Sequence, residues 1–472
     1  MAFPEDSPVM SGISQAPFAA DWLFERLATW GDEIALVHRD KPVSYRTLLE
    51  LVSVWDGELA TRGIGVGSVV LLESTASASA VALLLSLIRR GAIAVPLTPQ
   101  APVARDAISS IAEAAWQVSF TQASDDHETA TIIGAQRAVT TPVLLRLIAL
   151  KHPGIVLFSS GSTGAPKGVV HDCAALLEKF RRPGKKKVTL SFLLFDHIGG
   201  VDTLLNTLSS GGTLVTIQSR DPDTVCAAIA AHHVHTLPTS PTFLNMMLLS
   251  EAYRRHDLSS LRLVAYGTEP MPATVLTRLS EALPQVTLLQ TYGLSELGVL
   301  RTRSREGTLW VQFTGEGYET QIRDGILWVR TPTSMLGYLN APDRFDADGW
   351  FCTEDAVEVD GDYVRILGRT SDLINVGGRK VYPAEVEEVL MDLANVRDVA
   401  VFGRANPLTG QIVATRINLI DPESLDDFKR RMRLFCRDRL PSYKVPVHVE
   451  FTDEDQFGVR MKKKRNSTAL PQ

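Results

Sequence analysis

Residues 154–168 constrain the fold most, because a short apolar run there ends in a loop of small residues. The four apolar residues 155–158 are typical of a buried strand. The glycines that follow let the backbone approach an anion and point its N–H groups at it, and Lys167 adds a mobile positive charge. The order Pro166-Lys167-Gly168 differs from the Gly-Lys-Ser/Thr ending of a Walker loop. The pattern predicts a phosphate-binding loop rather than a flexible polar surface loop, with Ser159, Ser160, Gly161, Ser162, Thr163, Gly164 and Lys167 as its candidate ligands.

The loop sequence Ser-Ser-Gly-Ser-Thr-Gly-Ala-Pro-Lys-Gly resembles the phosphate loop of the adenylate-forming superfamily. This superfamily includes acyl-CoA synthetases, peptide-synthetase adenylation domains and beetle luciferases. The resemblance covers the chain from near Trp22 to Arg465, through five motifs in the expected order. It implies a large domain that binds ATP and substrate, residues 1–367, a hinge, residues 368–371, and a small mobile lid, residues 372–472.

Composition describes an ordinary globular protein of more than one domain, since 472 residues exceed a single core. A net charge of −6 gives no general attraction to nucleic acid or to an anionic membrane. The four cysteines are too far apart for a metal site or a disulfide framework, which favours a reduced, cytoplasmic setting. The N-terminus lacks the pattern of a signal peptide. The most apolar segment, residues 78–88, is too short to span a bilayer, so we expect no membrane insertion.

Strands and helices alternate early in the chain. Residues 69–72 and 92–97 are predicted strands, and the helical pattern of residues 78–90 lies between them. This order predicts an α/β fold, in which a large N-terminal domain has parallel or mixed sheets covered by helices. The superfamily resemblance adds a small α+β C-terminal lid. In such sheets, ligands bind beyond the carboxyl ends of the strands.

Phe195, Asp196 and His197 lie between a predicted strand, residues 188–194, and a predicted helix, residues 201–208. A carboxylate and an imidazole at the mouth of an apolar strand can bind or orient a small substrate. The alternative is that Asp196 is the N-cap of the helix. The resemblance implies that this turn gates the acyl pocket, with His197 as a catalytic candidate. In amino-acid-activating members, an aspartate in such a Phe-Asp pair holds the substrate amine.

Two later strands, predicted at 263–266 and 286–289, also end on the ligand side of the sheet. A flat ring such as adenine needs exposed backbone and an aromatic face, which Gly267 and Tyr292 would supply. Glu296 is a hard oxygen ligand suited to Mg²⁺ on the phosphates. Tyr-Gly-Leu-Ser-Glu resembles the superfamily element Tyr-Gly-x-Thr-Glu. The candidate ATP contacts here are Gly267, Thr268, Glu269, Pro270, Gln290, Thr291, Tyr292, Gly293 and Ser295, and Tyr266 and Gly293 are candidate substrate contacts.

A third motif, Gly-Trp-Phe-Cys-Thr-Glu-Asp, resembles the superfamily's Gly-Trp-x-x-Thr-Gly-Asp. The resemblance implies that Asp355 accepts the ribose hydroxyls of ATP. Glu354 replaces the usual glycine, which puts the local backbone shape in question because glycine adopts positive φ readily.

Residues 363–387 give the most specific match, and they resemble the superfamily's hinge and the start of its lid. Arg369 would meet the ribose, and Ser371 stands where the hinge residue is usually aspartate or lysine. Gly377 and Gly378 would form the loop that faces the thiol acceptor. Pro383 is well placed for the first turn of a helix.

The chain end departs from the superfamily pattern Pro-x-Thr-x-x-Gly-Lys-x-x-Arg, whose lysine binds the carboxylate and the phosphate during adenylation. Alignment on Gly458 puts Val459 at the lysine position, whereas alignment on Lys-x-x-Arg pairs Lys462 with Arg465. We favour Lys462 as the catalytic lysine, with Lys463 or no lysine as the alternatives. The non-functional interpretation is a solvated basic tail.

The resemblance implies activation of a carboxylic acid with ATP and Mg²⁺, followed by transfer to the thiol of coenzyme A, as in bacterial acyl-CoA synthetases. The relatively short chain and the compact turn Asp-His-Ile-Gly-Gly suit a small or aromatic acid better than a long fatty one. Two alternatives remain. The first is a freestanding enzyme that acts on an amino-aromatic or amino acid substrate, loading a carrier-protein phosphopantetheine or another nucleophile. Replacing Asp196 with alanine should then abolish selectivity for amine-bearing substrates. The second is a non-catalytic nucleotide-binding homologue, suggested by the altered lysine motif and by Glu354.

Overall fold

A computed structural model describes residues 20–99, 105–122, 128–160, 166–458, 461 and 463 of the chain, with the backbone alone at 122 and 160. The helices are α1 (Asp21–Thr29), α2 (Tyr45–Thr61), α3 (Ala78–Arg89), α4 (Arg105–Ile111), α5 (Pro142–Leu150), α6 (Cys173–Glu178), α7 (Ile198–Ser209), α8 (Pro222–Ala231), α9 (Pro241–Ser250), α10 (Ala252–Arg255), α11 (Ala273–Ala282), α12 (Pro383–Met391) and α13 (Leu425–Cys436). Short 3-10 helices cover Thr370–Asp372 and Ser442–Lys444.

The strands fall into two groups along the chain. Those before the middle of the chain are β1 (Ile34–His38), β2 (Lys41–Ser44), β3 (Val69–Glu73), β4 (Ile93–Leu97), β5 (Trp116–Gln122), β6 (Glu128–Gly134), β7 (Gly154–Ser160), β8 (Pro166–Asp172), β9 (Val188–Ser191), β10 (Thr213–Thr216) and β11 (Thr236–Thr239). The later strands are β12 (Leu263–Tyr266), β13 (Thr287–Gln290), β14 (Tyr292–Leu294), β15 (Gly298–Leu300), β16 (Thr302–Ser304), β17 (Val311–Phe313), β18 (Glu319–Arg323), β19 (Ile326–Arg330), β20 (Gly337–Tyr338), β21 (Phe351–Asp360), β22 (Tyr363–Arg369), β23 (Ile374–Val376), β24 (Arg379–Val381), β25 (Val396–Asn406), β26 (Gly410–Leu419) and β27 (His448–Phe451).

Two seven-stranded mixed sheets form the large domain. The first sheet has the order β13-β12-β11-β9-β10-β1-β2, and the second has the order β20-β8-β7-β4-β3-β5-β6. Most neighbours are parallel, and antiparallel pairs occur at β1–β2, β5–β6, β7–β8 and β8–β20. The predicted α/β class with parallel or mixed sheets is therefore confirmed.

Helix α3 lies in the main core between these sheets. Residues 80–88 are all buried, which suits a helix that is apolar around its whole circumference. Its N-terminus is capped by the Ser77 hydroxyl, which accepts from the Ala80 N–H at 3.1 Å. Helix α2 begins in the same way, since the Ser44 hydroxyl accepts from the Thr47 N–H at 3.1 Å.

A third, antiparallel sheet leads the chain into the small C-terminal domain, for which the name lid is kept below. Its order is β16-β17-β22-β21-β19-β18. Strand β22 ends at Arg369, and the next strand, β23, already belongs to a separate five-stranded sheet with β24, β25, β26 and β27. This last sheet packs on α12 and α13 around a core of its own. As predicted, Pro383 occupies the first turn of α12. The domain limits of residues 1–367, 368–371 and 372–472 stay a prediction.

Within the described ranges, no helix is long and apolar enough to cross a membrane.

Candidate active site

The phosphate-loop candidates lie on the hairpin of β7 and β8. Ser159 is paired across the hairpin with Lys167, and Ser160 with Pro166. The ammonium nitrogen of Lys167 lies 6.0 Å from the centre of the Tyr338 ring. Four candidates, Gly161, Ser162, Thr163 and Gly164, lie outside the described residues.

Asn340 holds the second strand of this hairpin at its start. Its side-chain oxygen accepts from the Gly168 N–H at 3.1 Å, and its side-chain nitrogen donates to the Pro166 carbonyl at 2.8 Å. A Cβ on Gly168 would lie 2.7 Å from the end of the Leu339 side chain, which would have to shift to make room for it. These contacts fix the backbone on either side of Lys167.

Tyr338 connects Glu296 with Lys167 of the β7–β8 hairpin, which carries the predicted phosphate loop. The Tyr338 hydroxyl donates to Glu296 Oε1 at 2.6 Å. Burial, followed by the neighbouring Glu296 carboxylate, raises the pKa of Tyr338 above its usual value, so the hydroxyl stays protonated and can donate. Tyr338 therefore lies close to both a carboxylate and an ammonium group.

The donor set fits a magnesium ion that arrives with the phosphates. In the described part of the chain, no group of three or more His, Cys, Asp or Glu side chains could hold a metal ion. Magnesium in nucleotide enzymes commonly needs one or two carboxylates, because the phosphates and water supply the other ligands. One carboxylate, Glu296, beside the phosphate hairpin is therefore sufficient.

His171 supports the loop that carries Glu296. It lies on β8, is fully buried, and its Nε2 is 2.5 Å from the Ser295 carbonyl oxygen, so the neutral ring donates through Nε2–H. Burial lowers the pKa of His171, so the ring stays neutral at neutral pH. Ser295, a predicted ATP contact, is thus held through its backbone.

We expect this histidine to make folding stability depend on pH. Its folded pKa lies below its unfolded value of about 6.5, so its contribution is complete above that value and is lost as the pH falls through the folded pKa. Each pH unit between the two pKa values corresponds to ~1.4 kcal/mol. In urea unfolding at pH 5, 6 and 7, His171→Gln should show a smaller loss of stability on acidification than the wild type. The exposed control His233→Gln should keep the wild-type slope, and an unchanged slope in His171→Gln would contradict this account.

The ribose candidates are brought together by strand pairing. Asp355 on β21 lies directly opposite Arg369 on β22, with 3.5 Å between Asp355 Oδ1 and Arg369 Nε. The Tyr292 hydroxyl donates to Asp355 Oδ2 at 2.5 Å. Burial raises the pKa of the Asp355 carboxyl, and Arg369 and the Tyr292 hydroxyl oppose that rise. The cluster presents a carboxylate and a guanidinium side by side, which suits a sugar with neighbouring hydroxyls.

Glu354 adopts the backbone shape that glycine favours. Its φ is +61°, in the left-handed region. Its carboxylate pairs with Arg344, with 2.5 Å between Oε2 and Nη1. The substitution therefore leaves the turn before Asp355 intact and adds an ion pair.

The predicted adenine region is built at the ends of β12 and β13. Thr291 binds the Tyr266 carbonyl through its N–H at 2.7 Å and its hydroxyl at 3.1 Å. A Cβ on Gly267 would lie 2.6 Å from the Thr291 hydroxyl, so glycine is required there. Gln290 is buried, and its side-chain oxygen has no partner among the described residues, which leaves it able to accept from a ligand N–H. Gly293 sits in the hairpin of β14 and β15.

Two predicted aromatic contacts are buried instead. The Tyr292 ring is 8% exposed and packs edge to face on Phe313, with 5.4 Å between ring centres. The expectation of an open aromatic face at Tyr292 is therefore wrong, because β14 turns the ring into the core and leaves its hydroxyl on Asp355. The Tyr266 ring is 1% exposed and belongs to a core cluster, so its side chain is closed to a substrate.

At the substrate turn, the predicted N-cap Asp196 is wrong. Helix α7 begins at Ile198, and His197 caps it, with Nδ1 accepting from the Gly199 N–H at 3.1 Å. The neutral ring therefore carries its proton on Nε2. Phe195 is buried in the main core. The helix starts three residues earlier than predicted, because the apolar pattern gave no weight to Gly199 and Gly200.

Asp196 is engaged by the protein. It is 2% exposed, and Oδ2 accepts from the Thr98 hydroxyl at 3.1 Å. Thr98 follows β4 of the second sheet, so this bond joins the carboxyl ends of both large sheets. Burial lowers the pKa of Arg220, and Asp196 opposes that change. Both contacts favour a structural role for Asp196 over a substrate amine.

Asp196→Ala should lower the free energy of unfolding by ~2 kcal/mol, because it removes the charge facing Arg220 and leaves the Thr98 hydroxyl without its acceptor. Acid selectivity should stay unchanged. Asp196→Asn, which keeps an acceptor for Thr98, should lose less stability. The measurements are urea unfolding and pyrophosphate exchange with matched acids with and without an amine. Lost preference for the amine at wild-type stability would restore the substrate role.

The predicted hinge and the predicted acceptor loop lie on the surface. Ser371 is exposed in a 3-10 helix, where its hydroxyl lies 3.2 Å from Asp372 Oδ1. Gly377 and Gly378 both have positive φ, at +59° and +84°, and a Cβ at Gly378 would meet no atom within 4 Å.

The chain end contacts the large domain. Lys462 lies outside the described residues, whereas the Lys463 ammonium pairs with Asp398 of the lid at 3.1 Å. The Lys463 N–H donates to Glu269 Oε2 at 3.0 Å. The carboxylate of Glu269, which was predicted to contact ATP, therefore binds protein groups. Its neighbours Thr268 and Pro270 continue the same loop, and Thr268 has φ +76°.

Residues 23–339 match the family model described as AMP-binding enzyme, and residues 385–465 match the model of the AMP-binding enzyme C-terminal domain. The chain belongs to the AMP-binding enzyme family. The predicted superfamily and the predicted enzyme class, an adenylate-forming ligase, are confirmed. The specific roles of the site residues stay predictions.

Curated relatives of this AMP-binding enzyme are CoA ligases and synthetases. It is 31% identical over 349 residues to the 3-[(3aS,4S,7aS)-7a-methyl-1,5-dioxo-octahydro-1H-inden-4-yl]propanoyl:CoA ligase of Mycobacterium tuberculosis, covering 70% of this chain and 68% of that protein. It is 29% identical over 333 residues to the feruloyl-CoA synthase of an Amycolatopsis species, covering 65% of this chain and 67% of that protein.

Solved structures share the fold. The anthranilate CoA ligase AuaEII, in complex with anthranoyl-AMP, superposes with a TM-score of 0.78 at 21% identity, over 95% of this chain and 96% of that one. The amide bond synthetase McbA from Marinactinospora thermotolerans gives 0.74 at 24% identity, over 93% and 97%. These likenesses confirm the architecture of a large α/β domain with a smaller C-terminal domain.

Sequence reasoning missed several residues that organise the site. Tyr338 and Asn340 lie in a Gly-Tyr-Leu-Asn segment without charge or clear periodicity, so no local signal singles them out. Their contacts arise because β20 pairs with β8, far away in sequence. His171 follows the apolar pair Val169-Val170 and precedes Asp172, and this short pattern gave no specific sign of its role.

Proposed function

We propose that this enzyme activates a carboxylic acid with ATP and then transfers the acyl group to the thiol of coenzyme A. The observation that carries the proposal is the convergence of two clusters on one short segment, residues 290–296. Tyr292 joins the ribose candidates Asp355 and Arg369, and Glu296 joins the phosphate-loop lysine, Lys167, through Tyr338. Family membership and the CoA ligases among its relatives support the same reaction.

In the first step, a carboxylate oxygen of the acid attacks the α-phosphorus of ATP. The bond from that phosphorus to the bridging oxygen breaks, and pyrophosphate leaves. Bound magnesium would supply charge neutralisation on the phosphates, held by Glu296. Lys167 stabilises the leaving group, and Lys462 steadies charge near the acid. Asp355, Arg369 and the Gln290 side-chain oxygen orient the nucleoside.

In the second step, a thiolate sulfur attacks the acyl carbonyl carbon and AMP departs. The lid would turn about Ser371 to bring Gly377 and Gly378 to the site. Among the acids, we favour small or aromatic ones, supported by the feruloyl-CoA synthase among its relatives. A carrier-protein phosphopantetheine would present the same thiol chemistry as coenzyme A.

The proposal is tested by incubating the enzyme with ATP, Mg²⁺ and a panel of fatty, aryl and amino-aryl acids. Each acid is offered coenzyme A or a phosphopantetheinylated carrier protein, and products are identified by mass spectrometry. We expect a CoA thioester of a small or aryl acid, together with AMP. An acyl-adenylate that forms and passes to neither thiol would contradict the proposed acceptor.

A further inference from the structure

Both carboxylate oxygens of Glu269 are used by the protein, and they reach two parts of the chain that lie far apart in sequence. Oε1 accepts from the Thr242 N–H at 2.8 Å and from the Thr242 hydroxyl. Oε2 accepts from the Lys463 N–H at 3.0 Å. One side chain therefore connects the first turn of α9, in the large domain, with the chain end, which closes the C-terminal domain.

The position of this carboxylate is electrostatically favourable. Helix α9 begins at Pro241, and the Ser240 hydroxyl caps it by accepting from the Phe243 N–H at 3.3 Å. Glu269 takes the N–H of Thr242, a second donor that the helix itself cannot satisfy. A negative charge is also stabilised at a helix N-terminus by the helix dipole. Glu269 is thus firmly bound on the large-domain side.

The backbone before Glu269 is strained. Thr268 has φ +76°, a left-handed conformation that is unusual for a β-branched residue. Such strain persists only where surrounding contacts enforce it, and it concentrates at functional positions. Here the turn follows Gly267, which packs closely on Thr291, so the loop is set by its neighbours and holds Glu269 against α9.

The chain end is held on its other side as well. Lys463 forms an antiparallel bridge with Phe457, and its ammonium pairs with Asp398 of the lid at 3.1 Å. Met461 packs against a core cluster of the large domain. The Asn245 side-chain nitrogen, one turn along α9, donates to the Arg397 carbonyl of the lid at 3.3 Å. These contacts form one continuous interface between α9, the chain end and the lid.

We propose that Glu269 is a positioning residue that anchors the chain end, and with it the lid, in the orientation used for adenylation. It acts through the backbone of Lys463, next to the candidate lysine Lys462, and does not itself bind ATP. The bond from Lys463 to Glu269 must break when the lid turns for thioester formation. This inference rests on the proposed function and adds to it a residue that favours one half-reaction over the other.

The two half-reactions are measured separately for Glu269→Ala, Glu269→Gln and the exposed control Glu281→Ala on α11. A hydrogen bond to a charged group of this kind corresponds to a change of about 10-fold or more. We expect Glu269→Ala to lower the maximal rate of ATP–pyrophosphate exchange about 10-fold with the KM for ATP nearly unchanged. Thioester formation from chemically prepared acyl-adenylate and coenzyme A should be unchanged or faster. Glu269→Gln keeps one acceptor oxygen, so its exchange rate should lie between those of Glu269→Ala and the wild type. Glu281→Ala should exchange at the wild-type rate.

A readout that needs no catalysis accompanies these assays. Limited trypsin digestion followed by mass spectrometry gives the rate of cleavage after Lys463, whose N–H and ammonium are both engaged. Loss of the Glu269 contact should raise this rate about 10-fold. An unchanged cleavage rate with a raised KM for ATP would overturn the proposal in favour of direct ATP binding. Equal losses in both half-reactions with a lowered melting temperature would overturn it in favour of general destabilisation. If the wild type activated no acid, the proposed function would fail while the cleavage rate still tested the anchor.

Discussion

Glu296→Gln should reduce ATP–pyrophosphate exchange by about 1000-fold, because it removes the carboxylate charge that would hold magnesium on the phosphates, a contribution of several kcal/mol. The amide keeps the size of the side chain and can still accept from the Tyr338 hydroxyl, so the fold should be unaffected. The apparent requirement for Mg²⁺ should rise in the same variant. Exchange is measured at saturating acid over a range of Mg²⁺ concentrations.

The exposed Glu306→Gln is the matched control for loss of one carboxylate, and it should exchange at the wild-type rate. Tyr338→Phe removes only the hydroxyl that orients Glu296, so about a 10-fold loss is expected. Exchange by Glu296→Gln within a few-fold of the wild type, at ordinary Mg²⁺ concentration, would show that the metal is held elsewhere.

Gly200→Ala should destabilise the large domain by ~3 kcal/mol or more, since a methyl group cannot be accommodated there. Its Cβ would lie 2.0 Å from the Leu194 carbonyl oxygen and 2.8 Å from that of Leu193. Both are backbone atoms, which cannot rotate away. Because Gly200 lies in the first turn of α7, the same strain should displace His197. Urea unfolding and the soluble yield on expression measure the effect.

Gly57→Ala is the contrasting substitution. Gly57 lies within α2, and a Cβ there would meet no atom within 4 Å. Alanine is a better helix former than glycine, so this variant should gain ~0.5–1 kcal/mol in unfolding free energy. Wild-type stability of Gly200→Ala would mean that the start of α7 is packed more loosely than the structure shows.

The local parts of this fold were predictable because their signals are local. The apolar run of α3 depends on neighbours along the chain, and the structure has this helix, Ala78–Arg89, close to the predicted residues 78–90. The superfamily motifs indicated which loops carry the site. The ion pair of Asp355 and Arg369 follows from two motifs that turn out to be paired strands.

The remaining parts depend on contacts between distant segments. The sequence predicted an exposed aromatic face at Tyr292. The packing of its ring on Phe313 buries that face, and its hydroxyl binds Asp355 instead. From the sequence, Asp196 was either a helix cap or a ligand for a substrate amine. Its hydrogen bond from the Thr98 hydroxyl arises only because the two large sheets lie side by side. Glu269 was assigned to ATP from its place in a motif, whereas its bonds to Thr242 and Lys463 depend on how the lid docks.

The central claim is that this enzyme forms an acyl-adenylate. It is tested most directly by ATP–pyrophosphate exchange without any thiol, over fatty, aryl and amino-aryl acids, for the wild type and Lys462→Ala. The account predicts exchange that depends on one class of small or aromatic acid and is largely lost in Lys462→Ala. Absence of exchange with every acid would contradict it and would favour a nucleotide-binding homologue without this activity.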